Sequence, residues 1–307
     1  MNPGPKPFTR EELIDNCRDA RGVMVFMTEW IDKKFLESCE NIQIIAGALK
    51  GHNNIDVSEC SLKNIPVTIV PDLLSEPTGE LTVGLMISIA REVCSGDRFI
   101  RKKNFSGWRP IFYGQALSNS NVLVIGAGAV GQTILRMLAG FNCKCSYVDT
   151  VPLSRSTELK LKCTRAELET ALPRADFVVL ALHLMPSTIH FVDSSFLSKM
   201  KKDSFLINPA RGSLVDEKAV ETALSNHQLA GYAADTFEVE DWALPDRPRA
   251  ISPGLLNSDR TVFTPHIGSA VREVREAIEL SAAQSIVDAL DGNIPKNTIN
   301  KKYLNCV

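Results

Sequence analysis

Three side chains suited to anion binding and proton transfer follow three apolar runs in the last third of the chain. In SFLINPARG, Arg211 stands just beyond the run Ser204–Ile207. A guanidinium is permanently charged and forks onto a carboxylate or phosphate through two hydrogen bonds. The run Ala230–Ala234 is followed by Asp235 and then by Glu240. The run Val262–Thr264 leads through Pro265 into His266. Histidine exchanges a proton near neutral pH, and an adjacent carboxylate orients the ring and favours its charged form. A fixed cation, a base and an orienting acid at successive strand ends suit chemistry on a small anion.

A second constellation lies upstream, in NVLVIGAGAVGQTILRMLAGFNCKCSYVDT, residues 121–150. Asn121–Ile125 reads as a buried strand, and Gly126, Gly128 and Gly131 give G-x-G-x-x-G ahead of helical apolar spacing from Val130 to Leu138. A second apolar run, Cys145–Val148, ends in Asp149. Strand, glycine turn, helix and a following acid together make a dinucleotide fingerprint. The first glycine makes the tight turn, the second admits a pyrophosphate, and the third lets helix and strand pack closely. Asp149 stands where a ribose 2′-hydroxyl is held and where an extra 2′-phosphate is repelled, so NAD is expected over NADP, with Arg155 nearby as a softening influence.

The elements that must position these residues read as alternating strands and helices, hence a parallel sheet. Thr9-Arg-Glu-Glu12 is a capping box opening a helix to about Asp19. Val23–Met27, Ile42–Ala46 and Pro66–Val70 are strands, with a helix at Lys33–Cys39. The loop 47–56, which carries Lys50, lies at a strand's C-terminal end, where parallel sheets bind ligands. From Thr78 to about Lys103 the pattern is one long helix whose stripe Leu81, Leu85, Ile89 and Val93 suits either the chain's own core or a partner subunit. An aromatic loop, GWRPIFYG (107–114), follows. Beyond Asp149, Thr164–Glu167 reads as the cap of a helix, Phe177–Leu182 as a buried strand, and Val271–Leu290 as a long closing helix.

Composition bounds the class. With 307 residues, 44% hydrophobic and 23% charged, the chain has the balance of a globular protein of two domains. A net charge of −2 offers no bulk attraction for nucleic acid or an acidic membrane. No apolar run approaches a membrane span, and MNPGPKPF has no signal-peptide core, so a cytoplasmic enzyme is expected. The eight cysteines form no C-x-x-C and have no histidine at ligand spacing; free thiols and no metal are expected.

NVLVIGAGAVG, MKKDSFLINPARGSLVD (200–216) and FTPHIGSA (263–270) resemble the signatures of the D-isomer-specific 2-hydroxyacid dehydrogenases, and the likeness runs from Thr9 onward. The resemblance implies an α/β fold: a doubly wound Rossmann NAD domain, residues 93–279, and a smaller flavodoxin-like substrate domain, residues 1–92, to which residues 280–307 return. It implies Arg211 as substrate-binding arginine, His266 as acid/base and Glu240 as its support. On the cofactor side it implies Thr78, Gly126, Gly128, Ala129, Val130, Gly131, Asp149, Ala181, Ala210, Asp235 and Gly268.

Within that family, ALKG (48–51), VPDLL (70–74), GWRPIFYG, GYAADTFEVEDWA (231–243) and FTPHIGSAVREVR (263–275) are most similar to the branch that oxidises phosphite. Most of the family carries a small apolar residue before Gly51; here it is Lys50, and a lysine added to Arg211 suits a substrate with two negative charges at one centre. The same branch implies Met27, Gly51, Trp108, Tyr113, Ser269 and Arg275 around the substrate, and a homodimer. Two alternatives stand beside it: a dehydrogenase of lactate, glycerate or glyoxylate type, and a non-enzymatic NAD-dependent binding module like the corepressor relatives of this family. The family's substrate domain normally opens strand–helix–strand before the helix matching Thr9–Asp19. Only Met1–Phe8 precedes it here, so a shortened, less stable substrate domain is expected, with Val23–Met27 at the sheet edge.

Overall fold

The structure is a computed structural model that describes residue 6 and residues 8–70, 72–241 and 244–304. The expectation about Met1–Phe8 falls mostly outside those residues. The chain divides into two compact units: residues 1–74, 241–246 and 270–307, and residues 75–240 and 247–269.

The first unit is built on three parallel strands, β1 (Gly22–Val25), β2 (Ile44–Gly47) and β3 (Val67–Thr68), in the order β1-β2-β3. Helix Arg10–Cys17 opens with the expected capping box, Thr9 and Glu12 each accepting from the other's backbone N–H. Asp32 and Asp56 cap the next two helices, accepting from Phe35 N and Glu59 N. One face of the sheet buries Val25, Ile45 and Val67 with Phe35 and Leu36; the other buries Ile44 and Ala46 beneath Ile278 and Ala282 of helix Arg272–Leu290. Cover on both faces is why β2 is apolar at every position. Strand β1 stands at the edge, with Val23 and Val25 turned into the core.

The second unit holds a seven-stranded parallel sheet of β4 (Asn121–Ile125), β5 (Lys144–Val148), β6 (Cys163–Arg165), β7 (Phe177–Leu180), β8 (Ser204–Asn208), β9 (Leu229–Ala234) and β10 (Thr261–Phe263). The order is β10-β9-β8-β7-β4-β5-β6, a doubly wound Rossmann arrangement. The chain enters at β4, runs outward to β6, then returns to β7 and runs outward the other way. The reversal between β4 and β7 opens a crevice at the strands' C-terminal ends, where such sheets bind dinucleotides.

Three expectations are corrected. The long helix from Thr78 is two helices, Ser75–Ala90 and Val93–Arg101, separated by Glu92 in the left-handed region at φ 52°. Of its stripe, Leu85 and Ile89 lie in this unit's own core, one of the two places the pattern suits, and Val93, on the second helix, is exposed. The unit begins at Ser75 rather than at residue 93, because helix Ser75–Ala90 packs on β8, β9 and helix Ala129–Leu138. The helix expected after Thr164–Glu167 is present as Leu168–Ala171, but Glu167 stands at its N-cap, and Thr164 belongs to β6, pairing with Ser146 of β5.

Candidate active site

The glycine turn after β4 meets the steric demands of a dinucleotide cradle. Gly126 has φ 99°, and a Cβ there would come within 2.4 Å of Ala181 O at the end of β7. A Cβ on Gly131 would lie 2.0 Å from Gly126 O, so the first and third glycines are required by the chain's own packing. Gly128 differs: it is exposed, and its Cβ would meet nothing. That space lies at the N-terminus of helix Ala129–Leu138, where N–H groups and the helix dipole favour an anion. Ala129 and Val130 form the first turn of this helix.

Asp149 follows β5 and is aimed back at the turn. Its Oδ2 accepts from Ala127 N at 2.6 Å and its Oδ1 from Val151 N at 2.9 Å. Burial pushes its pKa up, but the hydrogen bonds from Ala127, Val151 and Thr150 outweigh that and hold it below the usual carboxylate range. Oδ1 also accepts from Thr150 Oγ1 at 3.4 Å, and Oδ2, with one donor, keeps acceptor capacity for a ribose hydroxyl. Arg165 donates to the Asp149 carbonyl at 3.0 Å, and Arg155 pairs with Glu158 rather than with Asp149. The residues present fit NAD.

On the other side of the crevice, β8, β9 and β10 deliver the chemical residues. Asn208, fully buried at the end of β8, donates to Arg211 O at 2.8 Å and accepts from Ala210 N at 3.1 Å, fixing the turn that presents Arg211. Asp235, 1% exposed after β9, accepts from Thr264 Oγ1 at 2.6 Å and from Ile267 N and Gly268 N at 2.8 Å each. Burial pushes the Asp235 carboxyl up, against the pull of those bonds. This grip holds His266 at φ 54°, a strained backbone that non-glycine residues rarely adopt. A Cβ on Gly268 would lie 3.1 Å from Asp235 Oδ2 and 3.2 Å from Thr78 Oγ1, a tight fit that its neighbours would have to relax to admit.

His266 Nδ1 lies 2.5 Å from Glu240 Oε2, and Glu240 Oε1 accepts from Phe237 N at 2.8 Å. Both side chains are about one-third exposed, so the ring's other nitrogen remains available to a substrate. With Nδ1 engaged by a carboxylate, Nε2 is the atom able to take or give a proton.

A layer behind these residues carries no signal in the sequence reading. Glu238 N donates to Glu217 Oε1 at 2.9 Å, and Glu217 N donates to Glu238 Oε2 at 3.3 Å. His190 Nε2 lies 2.6 Å from Glu238 Oε1, while His190 N donates to Ser213 O at 2.8 Å. These contacts tie together the turns bearing Arg211 and Glu240. Gly212 lets them approach, since a Cβ there would fall 1.8 Å from Phe237 C.

The other expected substrate-side residues are divided between the two units. Trp108 and Tyr113, in the loop after helix Val93–Arg101, are 86% and 82% exposed, so their own unit does not wall them into a pocket. Ser269 ends the second unit. Met27, Lys50, Gly51 and Arg275 belong to the first. There Asn54 donates to Phe26 O and Glu29 O at 2.8 and 2.7 Å, pinning the turn that holds Met27, and Arg275 lies 5.5 Å from the centre of the Phe26 ring. Lys50 follows β2 on a loop anchored by Ala48 N to Val25 O and Val70 N to Leu49 O. Lys50 is half-buried, and burial pushes its pKa below the ordinary lysine value, partly offset by Asp72.

Residues 83–268 match the NAD binding domain of the D-isomer specific 2-hydroxyacid dehydrogenases. The chain is 33% identical to the glyoxylate reductase of Pyrococcus furiosus over 304 residues, 97% of this chain and 88% of that protein. It is 31% identical to the glyoxylate reductase of Thermococcus litoralis, over 98% of this chain and 89% of that protein. Among solved structures, the TT0316 protein from Thermus thermophilus superposes with a TM-score of 0.87 at 29% identity, covering 96% of this chain and 91% of the other. No helix among the described residues is long and apolar enough to cross a membrane. The chain belongs to the D-isomer specific 2-hydroxyacid dehydrogenase family, and its cofactor is NAD.

Proposed function

We propose that this protein oxidises phosphite to phosphate, with water as the oxygen donor and NAD as the hydride acceptor. Lys50 carries the reading: a half-buried ammonium on the strand-end loop, already stripped of part of its water, favours a doubly charged substrate. Arg211, just past the end of β8, offers its guanidinium fork to an anion, and Asn208 keeps that fork's backbone in place. His266 takes the proton of the attacking water on Nε2, while Glu240 fixes the ring and stabilises the imidazolium that forms. Arg211 is excluded as the base because it does not release its proton. Gly126, Gly128, Gly131 and Asp149 hold NAD, which supplies the hydride acceptor when bound. In the same reading the protein works in the cytoplasm as a homodimer, its contact including Val93, Ile100, Phe105 and Ile111, which are exposed on the single chain; sedimentation as a monomer alone would contradict that.

A second reading, interconversion of glyoxylate or a related 2-oxo acid with its hydroxy acid, is favoured by the names of the relatives. Product analysis separates the two. The phosphite reading requires one inorganic phosphate for every NADH formed from phosphite and NAD; NADH without matching phosphate would overturn it.

A further inference from the structure

Three thiols of the second unit meet at the end of the sheet away from the cofactor turn. Cys143 directly precedes β5, Cys145 lies within it, and the two share a face of the extended chain. Cys163, in edge strand β6, is the register partner of Cys145. All three pack in one apolar cluster, in which Cys145 and Cys163 are 7% and 4% exposed and Cys143 is half-buried. The Cys143 thiol donates to Leu117 O at 3.3 Å, with Cys145 two residues along the same extended segment. The neighbouring Cys145 side chain draws the Cys143 thiol below the ordinary cysteine value against the effect of burial, and Cys143 together with burial pushes Cys145 up. Among the described residues no group of histidine, cysteine and acidic side chains could hold a metal ion, so the cluster is read as thiol chemistry.

We propose that Cys143, Cys145 and Cys163 form an oxidant-responsive modification site, with hydrogen peroxide as the class of oxidant, Cys143 as the sulfur attacked and a Cys145–Cys163 disulfide as the product. The Cys143 thiolate attacks peroxide: an S–O bond forms, the O–O bond breaks, and hydroxide leaves and is protonated to water. The Cys145 sulfur then attacks the sulfenic acid, forming S–S and breaking S–O, and its thiol proton departs with the oxygen as water. That first disulfide is strained. Residues two apart in an extended strand have Cα atoms about 6.6 Å apart, near the upper limit of about 6.8 Å for a disulfide. Register partners sit at the inter-strand spacing of about 4.8 Å, also inside the range, and their bridge joins two strands instead of closing a small ring within one. Cys163 therefore attacks the Cys145 sulfur; a new S–S bond forms, the old one breaks, and the electron pair and the Cys163 proton pass to Cys143, which returns as a thiol. The product clips edge strand β6 onto β5.

The test treats the full chain with stoichiometric hydrogen peroxide, blocks remaining thiols and maps peptides without reduction. The expected result is a linked Cys145–Cys163 peptide, released by dithiothreitol, forming at least about tenfold more slowly in Cys143→Ser, which lacks the reactive sulfur. Cys163→Ser traps the Cys143–Cys145 bridge, and Cys94→Ser, at the other half-buried thiol of this unit, changes nothing. Equal rates of linkage in Cys143→Ser and the parent chain would overturn the proposal. So would Cys143 running on to sulfinic acid while Cys145 stays reduced.

Discussion

His266 and Glu240 are joined by a 2.5 Å contact from Nδ1 to Oε2, although they arrive from different strand ends, β10 and β9. Groups outside the pair help to place both. Asp235 grips the His266 loop through two backbone N–H groups, and Phe237 N holds the far oxygen of Glu240. General acid–base catalysis contributes about 10²–10⁴-fold. His266→Ala is expected to lower kcat by an amount in that range, and Glu240→Gln by a smaller factor, with KM little changed in both. Parallel steady-state kinetics check this; a Glu240→Gln enzyme of undiminished kcat would remove Glu240 from the mechanism.

The glycine turn separates cofactor binding from folding. Gly131→Ala drives a Cβ toward Gly126 O, so the melting temperature should fall. Gly128→Ala meets open space, so the melting temperature should hold while KM for NAD rises. Thermal unfolding and cofactor titration of both variants test the contrast. Equal loss of stability in the two would contradict the assignment of that space to the pyrophosphate.

Asp149 should discriminate against NADP, because its carboxylate is kept ionised by the backbone of Ala127 and Val151 and repels a 2′-phosphate. Asp149→Ala is expected to narrow the ratio of kcat/KM for NAD over NADP. It should also cost stability, since Ala127 N loses its acceptor. The stability part has a defined sign: a carboxyl held below its ordinary value stabilises the fold above the unfolded pKa, and that contribution fades as pH falls through the folded one. A parent enzyme preferring NADP would refute the role.

Lys50 gives a pH dependence. A lysine is charged below its pKa, and burial moves that pKa down, so charge is lost at lower pH than the ordinary 10.5. Affinity for a dianion should be full below the shifted value and should weaken as pH rises through it. Lys50→Arg should abolish that rise in KM, because a guanidinium stays charged throughout. A KM profile unchanged between the parent and Lys50→Arg over the alkaline range would exclude Lys50 from substrate binding.

Much of this was legible in the sequence where local rules and tertiary structure agree. The G-x-G-x-x-G turn, the apolar strands and the Thr9–Glu12 capping box specify themselves through steric and hydrogen-bond demands a few residues long. Arg211, Glu240 and His266 were readable because residues just past apolar runs fall at one edge of a parallel sheet. Strand β6 was hidden, because CTR takes its conformation from pairing with Cys145, Ser146 and Tyr147 rather than from its own propensity. The break at Glu92 was hidden too, since no glycine or proline marks it. The Glu217–Glu238–His190 layer gave no signal: reciprocal bonds between buried carboxylates and backbone arise only once β8 and β9 are side by side.

Phosphite is the anion proposed to be oxidised. The direct measurement is kcat/KM with NAD for phosphite, D-lactate and D-glycerate, alongside glyoxylate reduction with NADH, on one preparation. Phosphite is expected to exceed every 2-hydroxy or 2-oxo acid, and Lys50→Ala to lower the phosphite value by about 10²–10³-fold, as expected when a charge-assisted contact is lost. Turnover of glyoxylate or a hydroxy acid with none of phosphite would contradict it.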